Sequence, residues 1–157
     1  MIEVQYAIDA EGLPTAETLK GWAEAALNAV AGRRGEITLR IVSKDEIQML
    51  NSSYRGKDKP TNVLSFPFDM PEGLPTELQE MILGDIALCA EVIAEESNAQ
   101  HKALAHHWAH MVIHGVLHLL GYDHINDDDA AEMEALETEI LASFNIKNPY
   151  LPTDELE

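Results

Sequence analysis

All seven histidines of this chain lie between His101 and His124. The apolar pattern within this window predicts a helix that ends at Gly121. His114 and His118 are four residues apart, so both imidazoles project from one face of that helix, one turn apart. Gly121 allows the chain to turn, and the turn can bring His124 back toward the other two side chains. This segment constrains the fold more than any other part of the sequence.

Three neutral imidazoles in this arrangement are typical of zinc. They fill three tetrahedral positions and leave the fourth for water, which is characteristic of a catalytic site rather than a structural one. We therefore predict that one Zn²⁺ ion binds to His114, His118 and His124. Nickel, which also accepts imidazole ligands, is an alternative.

The remaining histidines precede this motif along the chain. We expect them at the surface or in packing contacts. One of them, His110, lies one turn before His114 and could contact the ligands. The four residues are His101, His106, His107 and His110.

The three histidines and the glycine match the zinc signature of the metzincin proteases. That signature requires a glutamate directly after the first histidine, as general base on a water molecule. This chain has Gly115 at that position, which has no side chain to serve as a base. We therefore expect a hydrolytic reaction other than peptide cleavage.

A second motif is a basic segment that precedes a short predicted strand. Arg55, Lys57 and Lys59 belong to only 10 basic residues in the chain, against 28 acidic ones and a net charge of −18. This acidic surplus disfavours a polyanion-binding surface over the whole protein and makes the segment the candidate anion site. Arg55 can offer a planar fork of N–H donors to a phosphate. A solvated turn before a strand is the alternative interpretation.

Apolar patterning predicts an α+β fold with a small mixed sheet of about four strands against about five helices. The predicted strands cover residues 2–8, 36–42, 63–68 and 84–88. The predicted helices cover residues 14–31, a stretch after Ser43, 91–96, 101–120 and a stretch after Asn126. Ser43 and Glu46 have the spacing of a capping box, and Asn126 is expected to cap the last helix.

The length of 157 residues fits one domain, expected at 1–146, followed by an acidic C-terminal tail at 147–157. The single cysteine, Cys89, excludes an intrachain disulfide and is compatible with a reducing compartment. No apolar run approaches the roughly 20 residues that cross a bilayer. The first residues also lack the features of a secretory signal. We expect a cytoplasmic protein without membrane contact.

Three segments together resemble the YbeY family: residues 114–124, residues 55–66, and Leu83-Gly84-Asp85-Ile86. The resemblance spans Ile2 to about Phe144 and implies a small mixed sheet packed by helices. It implies a zinc-dependent endoribonuclease that acts on single-stranded RNA, in maturation of the 3′ end of small-subunit ribosomal RNA and in ribosome quality control. It also implies three metal ligands and one functional arginine, which are His114, His118, His124 and Arg55.

We therefore hypothesise a metal-dependent endoribonuclease. Zinc would polarise the scissile phosphate, activate a water molecule, or both, while Arg55 neutralises the developing charge. Lys57 and Lys59 are expected to bind substrate. The expected partners are single-stranded or ribosomal RNA and the small ribosomal subunit or its proteins, with no DNA and no membrane. The alternatives are a metal-dependent hydrolase of another substrate and a non-catalytic, zinc-stabilised module that associates with the ribosome.

Overall fold

A computed structural model of the chain describes residues 2–30, 35–67, 82–122 and 126–150. Its first four elements are β1 (Ile2–Tyr6), α1 (Ala16–Ala29), β2 (Glu36–Val42) and α2 (Lys44–Arg55). The others are β3 (Val63–Pro67), β4 (Ile82–Cys89), α3 (Ala90–Ala99), α4 (Leu104–Leu119) and α5 (Asp127–Ala142). No helix in these ranges combines the length and the apolar character needed to cross a bilayer.

The four strands form one mixed sheet in the order β1-β2-β4-β3. β1, β2 and β4 run parallel, whereas β3 pairs antiparallel with β4 at one end of the strand order. The register places Ile86 of β4 between Leu39 of β2 and Ser65 of β3. Because side chains alternate between the faces of a strand, Leu39 and Ile86 contribute to the same face of the sheet.

Helices cover both faces of the sheet, and α4 is central to the larger core. That core joins strand residues such as Leu39 and Ile86 to apolar residues of α1, α4 and α5. A smaller cluster, which includes Ile47 of α2 and Leu64 of β3, packs on the other face of the sheet. Helix α4 contacts α1, α3, α5, β3 and β4, so its position and rotation are fixed from several sides.

The predicted N-caps are confirmed, but the capping box is only half formed, because the Glu46 carboxylate accepts from Arg40 rather than from the Ser43 N–H. The Ser43 hydroxyl accepts a hydrogen bond from the Glu46 N–H at 3.2 Å, at the start of α2. The Asn126 side chain accepts one from the Asp129 N–H at 2.9 Å, at the start of α5.

Cys89 is fully buried, and burial raises the pKa of its thiol. The cysteine therefore packs as a small apolar residue.

The predicted α+β class, with four strands and five helices in the described ranges, is confirmed. Helix α4 begins at Leu104 rather than His101, since His101 has a φ of 56° and cannot join a right-handed helix. Strand β1 ends at Tyr6, two residues earlier than predicted. Helix α1 ends at Ala29, two residues before the predicted end near residue 31, because Val30 is extended. The end predicted for the third strand, near residue 68, lies outside the described residues. The domain boundary at residue 146 stays a prediction.

Candidate metal centre

The C-terminal half of α4 carries two of the predicted metal ligands. His114 and His118 are partly exposed, whereas Gly115, Val116 and Leu117 between them are buried. The buried residues attach the helix to the sheet and to its neighbouring helices. The two imidazoles are therefore held at a fixed position while remaining accessible to solvent.

The Nε2 atoms of His114 and His118 lie 3.1 Å apart. Two nitrogens that bind one tetrahedral zinc ion at about 2.0–2.1 Å are about 3.3–3.4 Å apart. The pair can therefore occupy adjacent corners of a metal site, and the same distance also fits an N–H···N hydrogen bond between the rings. The i, i+4 spacing correctly predicts that these side chains meet. That they bind a metal stays a prediction.

Helix α4 ends in a turn at Gly121, three residues before the third predicted ligand in the sequence. Gly121 has a φ of +100°, which a residue with a Cβ atom rarely adopts. Its N–H donates to the His118 carbonyl, and the Tyr122 N–H donates to the Leu117 carbonyl, each at 3.0 Å. These two bonds form a Schellman motif, a common helix end. His124 lies outside the described residues.

Gly115, at the position of the metzincin glutamate, lies where α4 packs closely against the sheet. A Cβ atom on Gly115 would be 2.9 Å from Ile86 Cγ2 and 3.2 Å from Val63 Cγ2. The Ser65 hydroxyl donates to the Gly115 carbonyl at 2.9 Å. A longer side chain has no room at this position, so residue 115 supplies no general base.

A buried carboxylate on α5 lies behind the His114 ring. Glu137 is 1% exposed, and its Oε2 atom is 3.3 Å from His114 Nδ1 and 2.5 Å from His110 Nε2. Its Oε1 atom accepts a hydrogen bond from the Tyr150 hydroxyl at 2.8 Å. The Tyr150 oxygen is also 3.3 Å from His110 Nε2. These four side chains, which we call the Glu137 network, join two helices and the C-terminal segment.

Burial and hydrogen bonding act in opposite directions on Glu137. Burial raises the pKa of its carboxyl, but hydrogen bonds from His110 and His114 outweigh that effect, and the pKa falls to about 2. Burial, assisted by the nearby Glu137 charge, raises the pKa of Tyr150. Glu137 is therefore an ionised acceptor and Tyr150 a protonated donor at neutral pH.

The Glu137 network also contains a candidate metal-binding group. Ligand-type atoms of His110, His114 and Glu137 all lie within 4.8 Å of one another. Imidazole nitrogens and a carboxylate oxygen are ligands that zinc and related transition metals accept. This group shares His114 with the ligand set predicted from the sequence.

The other histidines have separate positions. His101 and His106 are exposed, in agreement with the expected surface location. His107 is buried, and its Nε2 atom lies 2.9 Å from Glu96 Oε1. Burial lowers the pKa of His107, although the hydrogen bond to Glu96 opposes this effect. Glu96 also accepts from the Asn62 amide, so His107 helps to fasten α4 to α3 and to the start of β3.

Arg55, Lys57 and Lys59 are exposed around the turn between α2 and β3. Gly56 ends α2 in the left-handed conformation, with a φ of 71°. The buried Asn51 amide donates to the Lys59 carbonyl at 2.9 Å and holds the turn in place. In the part of the chain that the structure describes, no hydrogen bond or ion pair joins the three cations to an imidazole. The turn leads into β3, which contacts α4.

Sequence reasoning did not identify Glu137 and Tyr150. A signal for Glu137 was present, because it lies four residues after Met133 and three before Ile140, on the apolar face of the last helix. A lone carboxylate on a buried face requires a partner, which marks it as a candidate site residue. Tyr150 follows the last helix, outside any periodic pattern, and nothing in the sequence distinguishes it.

A sequence model of the family described as Endoribonuclease YbeY matches residues 5–145. A protein named Endoribonuclease YbeY from Alcanivorax borkumensis is 53% identical over 154 residues, covering 98% of this chain and 88% of that protein. One of the same name from Chromohalobacter salexigens is 55% identical over 152 residues, covering 95% of this chain and 96% of that protein. The solution structure of TM1509 from Thermotoga maritima matches with a TM-score of 0.57 and 25% identity, covering 92% of both chains. The family match includes both the histidine segment and the basic turn.

Proposed function

Because the chain belongs to the family of Endoribonuclease YbeY, we infer that it is a hydrolase that cleaves RNA internally. We further propose that the reaction depends on a metal ion and acts on single-stranded RNA. Its proposed roles are maturation of the 3′ end of small-subunit ribosomal RNA and ribosome quality control. The structural observation that carries the proposed metal dependence is the 3.1 Å separation of His114 Nε2 and His118 Nε2 on the solvent-accessible part of α4.

We propose that His114, His118 and His124 hold one divalent transition-metal ion, with zinc favoured and nickel as the alternative. The spacing of the first two nitrogens supports this role, and the turn at Gly121 that ends the helix lies three residues before His124 in the sequence. A bound zinc ion supplies Lewis-acid chemistry, in that it polarises a phosphoryl oxygen and lowers the pKa of water toward about 7.

The basic turn is proposed to bind the RNA backbone. The exposed guanidinium of Arg55 would donate hydrogen bonds to the phosphoryl oxygens as charge develops on them, and Lys57 and Lys59 would add attraction for neighbouring phosphates. Neither Gly115 nor the buried Glu137 is available to remove a proton from the attacking group. A water molecule and the RNA 2′-hydroxyl are the two candidate nucleophiles.

The acidic surface favours a protein-assisted encounter with the substrate. A net charge of −18 repels RNA at long range, whereas it attracts the basic proteins of a ribosome. We therefore propose that the small ribosomal subunit, or one of its proteins, brings the enzyme to its RNA in the cytoplasm.

The test combines elemental analysis of the purified protein with digestion of a single-stranded RNA and of a peptide mixture, each with and without a chelator. We expect one metal ion per chain, RNA cleavage that the chelator abolishes and zinc restores, and no peptide cleavage. His118→Ala should lose both the metal and the activity. RNA cleavage that persists after complete metal removal would contradict the proposed metal dependence, and cleavage of peptides but not RNA would overturn the assignment as a nuclease.

Arg55→Ala should retain the fold and the metal but cleave RNA more slowly. Loss of one donor to developing charge costs on the order of 10²–10³ in rate. Lys20→Ala is the matched control, because it removes the same charge from α1 and should leave the rate unchanged. Equal single-turnover rates for the Arg55→Ala variant and the unmodified protein would remove Arg55 from the reaction.

A further inference from the structure

The Glu137 carboxylate is shielded from solvent but closely surrounded by donors. It is 1% exposed and reaches His110, His114 and Tyr150 at 2.5, 3.3 and 2.8 Å. A buried charge is retained only where hydrogen bonds compensate its lost hydration. The position of Glu137 therefore depends on these three side chains, one of which, His114, is a proposed metal ligand.

The contact between Glu137 and His114 favours one tautomer of the imidazole. Glu137 Oε2 lies 3.3 Å from His114 Nδ1, and a carboxylate oxygen at this distance favours the tautomer whose Nδ1–H donates to it. In the neutral ring, the lone pair then lies on Nε2, the atom that faces His118 Nε2 at 3.1 Å. A metal ion binds that lone pair, so the contact with Glu137 presents His114 in the tautomer that can ligate.

The distances favour a role behind the metal ligands over a role as a ligand. Two ligands of one tetrahedral ion lie about 3.3 Å apart, at bond lengths near 2.0 Å. Glu137 Oε2 and His110 Nε2 are closer than that, at the length of a charge-assisted hydrogen bond. The same oxygen faces Nδ1 of His114, on the opposite edge of the ring from the His118 contact.

We propose that Glu137 is a positioning residue for the metal centre. It holds His114 in one tautomer and orientation, and Tyr150 and His110 hold Glu137 in turn. This inference rests on the proposed metal site at His114 and His118. Removing a hydrogen-bond partner of a metal-ligating histidine typically weakens metal binding 10–100-fold. Tyr150 thereby links the C-terminal segment to the metal centre.

The test measures zinc affinity by competition with a chromogenic chelator, together with the visible absorption of the Co²⁺-substituted full-length protein. Glu137→Gln should still bind one zinc ion, about 10–100-fold more weakly, with a shifted cobalt spectrum. Glu139→Gln, an exposed change on the same helix, is the matched control and should leave both readouts unchanged. Tyr150→Phe, which removes only the hydroxyl, should weaken zinc binding in the same direction but less, and keeps the test decisive if Glu137→Gln does not fold.

Unchanged zinc affinity and cobalt spectrum in both variants would overturn the positioning role. The positioning role would also be overturned if a folded Glu137→Gln protein lost zinc completely while His118→Ala retained it. That result would identify Glu137 as a direct ligand. A wild-type protein that binds no zinc or cobalt would contradict the proposed metal site itself, a result distinct from the failure of the positioning role alone.

Discussion

At the scale of single residues, Gly115 links the candidate site to the sheet. Its missing side chain allows α4 to lie against Ile86 and Val63, and its carbonyl accepts the Ser65 hydroxyl. His114 directly precedes Gly115 in the chain, so the depth at which α4 packs also determines the height of the His114 imidazole above the sheet. The glycine therefore has a packing role that is separate from the absence of a general base.

Gly115→Ala should destabilise the fold by about 1–3 kcal/mol, because the new methyl group would lie 2.9 Å from a branched, fully buried isoleucine. Gly21→Ala is the matched control within α1, where nothing lies within 4 Å of the added atom. It should stabilise by about 0.5–1 kcal/mol through helix propensity. Urea denaturation of both variants tests this prediction, and equal effects of the two substitutions would contradict the close packing.

At the scale of elements, the connection between α2 and β3 determines where the basic side chains lie. Asn51 is buried near the end of α2, and its amide donates to the Lys59 carbonyl beyond the turn. The backbone carbonyl of Asn51 also accepts from the Lys57 N–H at 3.2 Å. One side chain and one carbonyl therefore hold both ends of the basic turn against the helix that precedes it.

Asn51→Ala should lower the free energy of unfolding by roughly 0.5–1.5 kcal/mol, because the turn loses its bond to the Lys59 carbonyl. Asn28→Ala, an exposed change on α1, is the matched control and should stabilise by up to about 0.7 kcal/mol through helix propensity. Amide hydrogen exchange of residues 56–59 should also accelerate in Asn51→Ala alone. Unchanged exchange in this turn would show that Asn51 does not hold it.

At the scale of the whole molecule, unbalanced charge opposes the compact state. The chain has 28 acidic and 10 basic residues. Two of the basic side chains form ion pairs at partly exposed positions: Arg40 pairs with Glu46, and Lys44 pairs with Glu95. Exposed pairs of this kind contribute little to stability, so repulsion among the remaining carboxylates dominates the surface electrostatics.

Stability to urea should therefore rise as NaCl increases from about 0.01 M to about 0.15 M, where the screening length falls from about 30 Å to about 8 Å. Lys20→Glu makes the net charge more negative and should steepen the rise. Urea is uncharged, so the unfolding midpoint reports the effect of salt directly. A midpoint that falls with salt would mean that attractive pairs outweigh the repulsion.

The sequence alone determined what depends on neighbours along the chain. The periodicity of 3.6 residues places His114 and His118 on one face of α4. Helices α2 and α5 are capped by side chains that accept from N–H groups three residues further along the chain. The order of strands and helices likewise predicted the α+β class. These features follow from local geometry, which each stretch of sequence carries within itself.

Only the tertiary structure decided what depends on contacts between distant segments. Glu137 meets His114 from another helix, and Tyr150 meets Glu137 from beyond the last helix. The closeness of Gly115 to Ile86 and Val63 depends on how α4 packs against the sheet. No periodic pattern encodes such contacts, because they follow from the packing of whole elements in three dimensions.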